Sequence, residues 1–325
     1  GHGLWPGRTV AGVIVAAARL SKPLPMRPQG PVWLERQGAR TVDTVLIGLD
    51  WGTTSLRAYR IGPGGAVIER REMPQGIMQV KDGAFAAAFQ EAVGDWATEG
   101  VPVLASGMIG SRQGWREAPY VECPCSLDAL ARGLIEVPAG PRIVPGLLRP
   151  AGADKAPDVM RGEETQLFGL GAEEALVVLP GTHSKWARVE GGRVVDFATY
   201  LTGEMFDVLR RHSILGRLME GEAHDAHAFE RGVKAAAVEP GQFLHTIFSA
   251  RTLPLTGGLR ASEVWSYLSG LLIGTEVAAA LHTSQPGVSR QIRELEEELG
   301  IEIFVRVGKR LTGLTAPGAT VLPIV

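Results

Sequence analysis

The residues whose types and spacing hold the most chemistry are Asp50, Gly52, Thr53, Thr54, Ser55 and Arg57, which follow the apolar run Val45-Leu46-Ile47-Gly48-Leu49. A strand that ends in a carboxylate, a glycine and three hydroxyls is suited to bind phosphate. Gly52 lets successive N–H groups converge on an anion, and Thr53, Thr54 and Ser55 add hydroxyl donors. Asp50, at the strand end, suits Mg2+ held through water, because this hard cation prefers carboxylate oxygen and keeps much of its hydration. The competing reading is a plain β-hairpin with a polar turn, since Leu56-Arg57-Ala58-Tyr59-Arg60-Ile61 reads as a second strand leading into Gly62-Pro63-Gly64-Gly65.

The same arrangement occurs again further along the chain. Leu176-Val177-Val178-Leu179 is another buried-strand run, followed by Pro180-Gly181-Thr182-His183-Ser184-Lys185-Trp186, a strand from Ala187 to Glu190, a Gly191-Gly192 turn and a strand from Val194 to Phe197. Gly52-Thr53-x-Ser55 aligns with Gly181-Thr182-x-Ser184, the offset from Gly52 to Gly181 being 129 residues. That spacing suits two halves of a duplicated α/β core and not a solenoid of short repeats. Two such turns facing each other across a cleft would clamp a triphosphate.

Between and after the turns lie further runs: Ala105-Ser106-Gly107-Met108-Ile109-Gly110-Ser111 with Gly114-Trp115, Ala118-Pro119-Tyr120, Val144-Pro145-Gly146, Val159-Met160-Arg161-Gly162-Glu163-Glu164-Thr165-Gln166, and Leu268-Ser269-Gly270-Leu271-Leu272-Ile273-Gly274. With the two turns, these runs resemble the actin-like sugar kinase superfamily and, within it, the 2-dehydro-3-deoxygalactonokinases. The resemblance extends in order over residues 45–279 and is most specific at Arg161 to Gln166 and Pro180 to Trp186. It implies an α/β chain with a duplicated actin-like (ribonuclease H-like) kinase fold. The implied reaction moves the γ-phosphoryl group of ATP, with Mg2+, to the primary hydroxyl of 2-dehydro-3-deoxy-D-galactonate, giving the 6-phosphate.

Phosphoryl transfer is mostly positioning and charge neutralisation, which sets the residues to seek. Gly52, Thr53, Thr54, Ser55, Gly181, Thr182 and Ser184 are expected at phosphates, and Asp50 at Mg2+. Lys185 either neutralises phosphate charge or is a solvated residue on the strand after the turn. His183 either touches phosphate or donates to a backbone carbonyl and fixes the loop. Glu163 or Glu164 is the expected base, at the start of a helix, although acidic residues also suit a helix N-terminus through its dipole. Arg161 is expected to take the substrate carboxylate in a bidentate pair, against the alternative of an ordinary surface arginine. The loop Gly107, Met108, Gly110 and Ser111 with Trp115 follows an apolar run at 101–105. Loops after strand ends in open α/β sheets are where ligands bind, so the sugar is expected there, the alternative being a glycine-rich connector.

The elements that must position these groups set the domain expectations: a first actin-like domain at 44–174, a truncated second at 175–279, and a separate fragment at 280–325. Residues 1–43 hold no acidic residue before Glu35 and show no helix or strand periodicity, so they read as a disordered or non-native leader and are left unassigned. With 325 residues, 45% of them hydrophobic, the chain can bury a large core. A formal net charge of −2 offers no global attraction to nucleic acid or membrane. Cys123 and Cys125 flank Pro124 with no further cysteine to complete a metal site, which favours a reduced pair and a cytoplasmic enzyme. No run is expected to span a bilayer, the nearest being the short stretch at 10–18.

From Thr275 onward the chain resembles a LysR-type regulator, on Thr283-Ser284-Gln285-Pro286-Gly287-Val288-Ser289-Arg290-Gln291-Ile292-Arg293 and the wing-like run from Gly308 to Gly318. Val288, Ile292, Leu295 and Leu299 fall at helical spacing, and Ser289, Arg290 and Arg293 suit DNA contacts. Glu294, Glu296, Glu297 and Glu298 offset those arginines. As a winged helix-turn-helix fragment without a dimerisation helix, the segment has no pair of half-sites to read, and specific nucleic-acid binding is not expected. The stretch from Thr275 to Ala280 fits both families and is the expected join, beyond which the kinase resemblance stops short of the segment supplying part of an adenosine pocket.

Overall fold

The computed structural model describes residues 13–15, 44–97, 100–152, 155–238, 242–281, 304–307 and 310–314. The described residues fall into two compact units. Those between 44 and 173, joined by Gly191–Asp196, form the first, and the remainder form the second.

The first unit is built on strands β2 (Leu46–Trp51), β3 (Leu56–Ile61), β4 (Val67–Met73), β5 (Val103–Ser106), β7 (Ile135–Glu136) and β8 (Arg142–Ile143), in the sheet order β4-β3-β2-β5-β8-β7. Strands β2, β5 and β8 run parallel, with Asp50 in register with Ser106, so their carboxyl ends share one edge. Alternation sends Ile47, Leu49 and Trp51 inward along β2, and Leu56 and Ala58 along β3. Helix α1 (Phe85–Val93) covers this face with Phe85, Phe89, Ala92 and Val93. A smaller sheet, β10-β9-β6, joins β6 (Tyr120–Glu122) in parallel to β9 (Gly146–Arg149), which pairs antiparallel with β10 (Asp158–Met160). Helix α2 (Leu127–Arg132) follows β6, its N-terminus capped by the Ser126 hydroxyl, and α3 (Glu163–Gly169) follows β10.

A second sheet has the order β1-β11-β12-β13, from β1 (Val13–Val15), β11 (Glu174–Leu179), β12 (Ser184–Glu190) and β13 (Arg193–Tyr200), and belongs to the second unit apart from the start of β13 up to Asp196. The parallel pairing of β1 with β11 departs from the expectation of no strand before Val45: three consecutive β-branched residues suit a strand even without a longer pattern around them. Helices α4 (Thr202–His212), α5 (Ala226–Val238), α6 (Phe243–Thr246), α7 (Ser249–Leu255) and α8 (Val264–Leu281) follow. In the Leu268-to-Gly274 run, a Cβ on Gly270 would lie 2.1 Å from the Phe229 carbonyl oxygen, so α8 meets α5 backbone to backbone at this point.

The expectation that no segment is long and apolar enough to cross a bilayer is corrected by α8. The helical stretch Ala261–Leu281 reaches a mean hydropathy of 1.4 over 18 residues, and 67% of that window is buried inside the protein. It is a core helix, apolar on nearly every face because neighbours cover nearly every face. Strands β14 (Phe304–Val307) and β15 (Arg310–Leu314) pair antiparallel where a wing was expected, whereas Ser284 to Glu298, with the expected DNA-facing residues, lie outside the described residues.

Candidate active site

Asp50 is the last residue but one of β2, at the shared carboxyl edge of the first unit's parallel strands. Its Oδ2 accepts from Arg57 Nη1 at 3.0 Å, and Arg57 Nε also donates to Glu72 at 3.2 Å, so the arginine lies across two carboxylates. The Asp50 carboxylate remains 45% exposed. The turn that follows is a hairpin, with Gly52 N donating to Ser55 O at 2.9 Å and Thr53 and Thr54 exposed at its tip. A hairpin and a phosphate turn are therefore compatible descriptions of one geometry.

A clamp on this turn was not anticipated. Ile77 N donates to Gly52 O at 3.0 Å, Met78 N to Thr53 O at 3.2 Å, and Trp51 Nε1 to Gln75 O at 2.8 Å. Gly76 sits so close that a Cβ there would be 2.3 Å from Thr53 O. The second turn is held in a similar way. Glu204 N donates to Thr182 O at 3.0 Å, and a Cβ on Gly203 would be 2.6 Å from Gly181 O. In both cases a glycine after the third strand lets backbone press on a Gly-Thr turn. Only its place after that strand could have flagged it.

Beside Asp50, Gly107 leaves β5 with φ 93°, and a Cβ on it would sit 3.6 Å from Asp50 Oδ1. Gly162, with φ 109°, packs against Gly107: its own Cβ would be 3.3 Å from the Gly107 Cα. Glycine is required here because the backbone is left-handed and the approach is close. The loop beyond Gly107 is a tight turn in which Trp115 N donates to Ile109 O and Ala118 N to Gly110 O. Met108 and Ile109 pack on the core. Trp115 does so too, its ring lying 5.8 Å from Phe89 and 6.4 Å from both Phe85 and Trp51. The ring of Trp115, expected at the sugar, is thus engaged in the aromatic core.

Arg161 is no ordinary surface arginine. Its guanidinium stacks over Tyr120, 4.4 Å from the ring centroid, and Nη2 donates to the Ala118 carbonyl at 2.7 Å. Nε and Nη1 are buried without a hydrogen-bond partner among the described residues, and so is the hydroxyl of Ser111. A Cβ on Gly110 would be 2.7 Å from Nη1, which places the glycine loop directly against this cation.

The two glutamates differ in access. Glu163 is partly exposed, and its Oε2 accepts the Arg161 N–H at 3.1 Å. Glu164 is completely buried, and its Oε2 accepts the Gly162 N–H at 2.6 Å. Burial raises its pKa from the ordinary carboxylate range to about 8. A base must reach its substrate, and Glu164 has no exposed oxygen to offer.

In the second unit Gly181, Thr182 and His183 form the accessible tip. His183 Nε2 meets the Glu204 carboxylate at 2.5 Å and not a backbone carbonyl. Lys185 is 4% exposed, which excludes the solvated alternative, and its Nζ donates to the His183 carbonyl at 3.0 Å. Ser184 is also buried, its hydroxyl bonded to Glu276. Structure turns this serine away from the tip because it has already entered β12. A cavity of about 270 Å3 adjoins Thr182 and is lined by Gly203, Phe206, Asp207, Arg210, Glu222 and Trp265. Trp265 Nε1 and Arg210 Nε are buried without hydrogen-bond partners among the described residues.

No group of three or more His, Cys, Asp or Glu side chains stands together among the described residues. Mg2+ bound with a nucleotide needs none, since one carboxylate, phosphates and waters complete its shell, and the exposed Asp50 fits that demand. Cys123 and Cys125 are buried thiols, Cys123 pushed up to about 12 chiefly by burial, and neither offers a thiolate near neutral pH.

Comparison with known proteins defines the class: a mixed α/β kinase of sugar acids. The chain belongs to the 2-keto-3-deoxy-galactonokinase family, whose family model matches residues 50–293. A Rhizobium meliloti (strain 1021) protein assigned as 2-dehydro-3-deoxygalactonokinase DgoK1 is 40% identical over 252 residues, covering 72% of this chain and 79% of that one. The 2-dehydro-3-deoxygalactonokinase of Escherichia coli (strain K12) is 37% identical over 235 residues, with the same coverage of 72% and 79%. A crystal structure of a Sinorhizobium meliloti protein given the same assignment superposes with a TM-score of 0.67 at 35% identity, covering 79% of this chain and 92% of that one. Residues 275–319 match the LysR-family bacterial regulatory helix-turn-helix. Over 50 residues the chain is 72% identical to the regulator cbl of Klebsiella aerogenes, spanning 15% of this chain and 16% of the regulator.

Proposed function

We propose that this protein transfers the γ-phosphoryl group of ATP to the primary hydroxyl of 2-dehydro-3-deoxy-D-galactonate, giving the 6-phosphate and ADP. The observation that supports this reading is the pair of unpartnered donors Arg161 Nε and Nη1 in the first unit, packed against Gly110 of the loop beside Asp50, whose Ser111 hydroxyl is likewise buried without a partner among the described residues. A guanidinium with two buried, unpartnered donors suits a ligand carboxylate, which its fork binds bidentately. Tyr120 and the Ala118 carbonyl hold the fork in place before substrate arrives, which limits the ordering required on binding.

Glu163 is the base in this scheme. It accepts the hydroxyl proton as the sugar oxygen bonds to phosphorus and the bond to the leaving ADP oxygen breaks. Glu164 positions: it holds the Gly162 N–H and thereby the bend that carries Arg161 and Glu163. Asp50 would hold Mg2+, which when bound would neutralise charge at the phosphates. Thr53 and Thr54 in the first unit, and Thr182 in the second, each offer exposed hydroxyls suited to phosphate. The matching strand-turn-strand units are, in this reading, the halves of a duplicated actin-like fold. The second half is shortened where the regulator match begins.

The direct test is ATP-dependent phosphorylation of 2-dehydro-3-deoxygalactonate by the full chain. Arg161→Lys loses the fork and should raise the KM for the sugar acid about tenfold or more, with the KM for ATP unchanged. Glu163→Gln should lower kcat by about two orders of magnitude with ATP affinity retained. Absence of phosphoryl transfer, or an unchanged sugar acid KM in the Arg161 variant, would sink the assignment. A second reading, a DNA-binding regulator fragment, rests on the match over 275–319.

A further inference from the structure

The second Gly-Thr turn is flanked by a buried carboxylate that the scheme above does not use. Glu276, on α8, is 7% exposed. Its Oε1 accepts the Trp186 indole N–H at 2.6 Å, and the hydroxyls of Ser184 and Thr202 are bonded to the same carboxylate. All three donors belong to the apparatus of that turn. Ser184 and Trp186 are the first and third residues of β12, and Thr202 opens α4. The next two residues of α4 are the clamp itself: Gly203 presses on Gly181 O, and Glu204 N holds Thr182 O.

We propose that Glu276 is a positioning residue for the phosphate-binding turn at 181–183. It ties the start of β12, where the turn ends, to the start of α4, whose next two residues hold the turn. The third anchor comes from α8, which is packed along its length against α5 and α4 and therefore moves little. A leucine at 276 would fill the space more cheaply than a buried carboxylate, but would leave the Trp186 N–H and two hydroxyls without an acceptor. Glu276 also lies where the kinase match and the regulator match overlap, from 275 to 293, so the chain retains this anchor across the join.

The inference rests on the phosphate reading of the turn, and the test separates the two. Full-length wild type, Glu276→Gln, Glu276→Ala and Trp186→Phe are compared by amide hydrogen exchange over 180–186, with 175–179 and 264–274 as internal references. Kd values for Mg·ATP and for 2-dehydro-3-deoxygalactonate are measured separately by calorimetry. Glutamine can accept from the indole and donate to the hydroxyls, so it should stay within about threefold of wild type in both readouts. Alanine should speed exchange over 180–186 and weaken ATP about tenfold, leaving the sugar acid Kd within about twofold. Phenylalanine at 186, which removes one donor and keeps the carboxylate, should fall between.

Glutamine behaving like alanine overturns the proposal. So does exchange that rises equally in the reference segments, or ATP and sugar acid affinities that weaken together. If wild type binds no ATP while the exchange pattern holds, the phosphate reading fails and the positioning role of Glu276 stands.

Discussion

Burial holds the Glu164 carboxyl up to about 8, so the folded chain keeps a proton near neutrality that the unfolded chain releases. The stabilisation from this proton is complete below the ordinary value of 4.5 and is lost as pH rises through about 8. Glu164→Gln removes the titration. The wild type should therefore lose stability relative to the variant between these limits, by an amount on the order of a few kcal/mol, read as converging or crossing Tm curves against pH. Parallel curves would show that the carboxyl titrates alike in both states. The neighbour Glu163 could not be told apart from Glu164 in the sequence, because adjacent acids at a helix start share the same local rules. Which oxygen is sealed depends on what packs against α3. Trp115 posed the same difficulty. Its glycine-rich surroundings pointed to a ligand loop, whereas its ring partners, Trp51, Phe85 and Phe89, come from β2 and α1.

At the scale of elements, the strands were readable because alternation and β-branched runs are local signals, and β2, β3, β11, β12 and β13 occupy the expected runs. The clamps on the turns were not readable, since a glycine that admits another backbone looks like any loop glycine until the partner is in place. Gly76→Ala tests the first clamp. Its Cβ would collide with Thr53 O and with the Thr54 carbonyl carbon at 2.3 Å, so the segment from Pro74 to Met78 must shift. The expected cost is about 1–3 kcal/mol, seen as a lower Tm, together with weaker ATP binding. An unchanged Tm would mean that the clamp yields freely. Helix α8 shows a local rule giving the wrong answer: its composition passes for a membrane span, and only the helices packed on it show that its solvent is protein.

Across the whole molecule, two family matches share one chain and overlap from 275 to 293. Only one of the two is broad, and the formal net charge of −2 gives no electrostatic support to the other. A mobility-shift titration should therefore show weak DNA binding that disappears between about 50 and 200 mM salt without preference for sequence. Tight, salt-resistant binding to one operator would favour the regulator reading. The sequence by itself determined the two Gly-Thr turns, the strands around them, the family and the second match after Thr275, since each is written in short contiguous patterns. Tertiary structure alone decided that Glu164 is sealed while Glu163 is reachable, that Arg161 holds two unpartnered donors, and that Ser184 turns away from the turn toward Glu276. The reason is physical: burial and hydrogen-bond satisfaction belong to the neighbours a side chain meets in space, and for these residues the deciding neighbours lie up to 92 positions away, as Ser184 and Glu276 do.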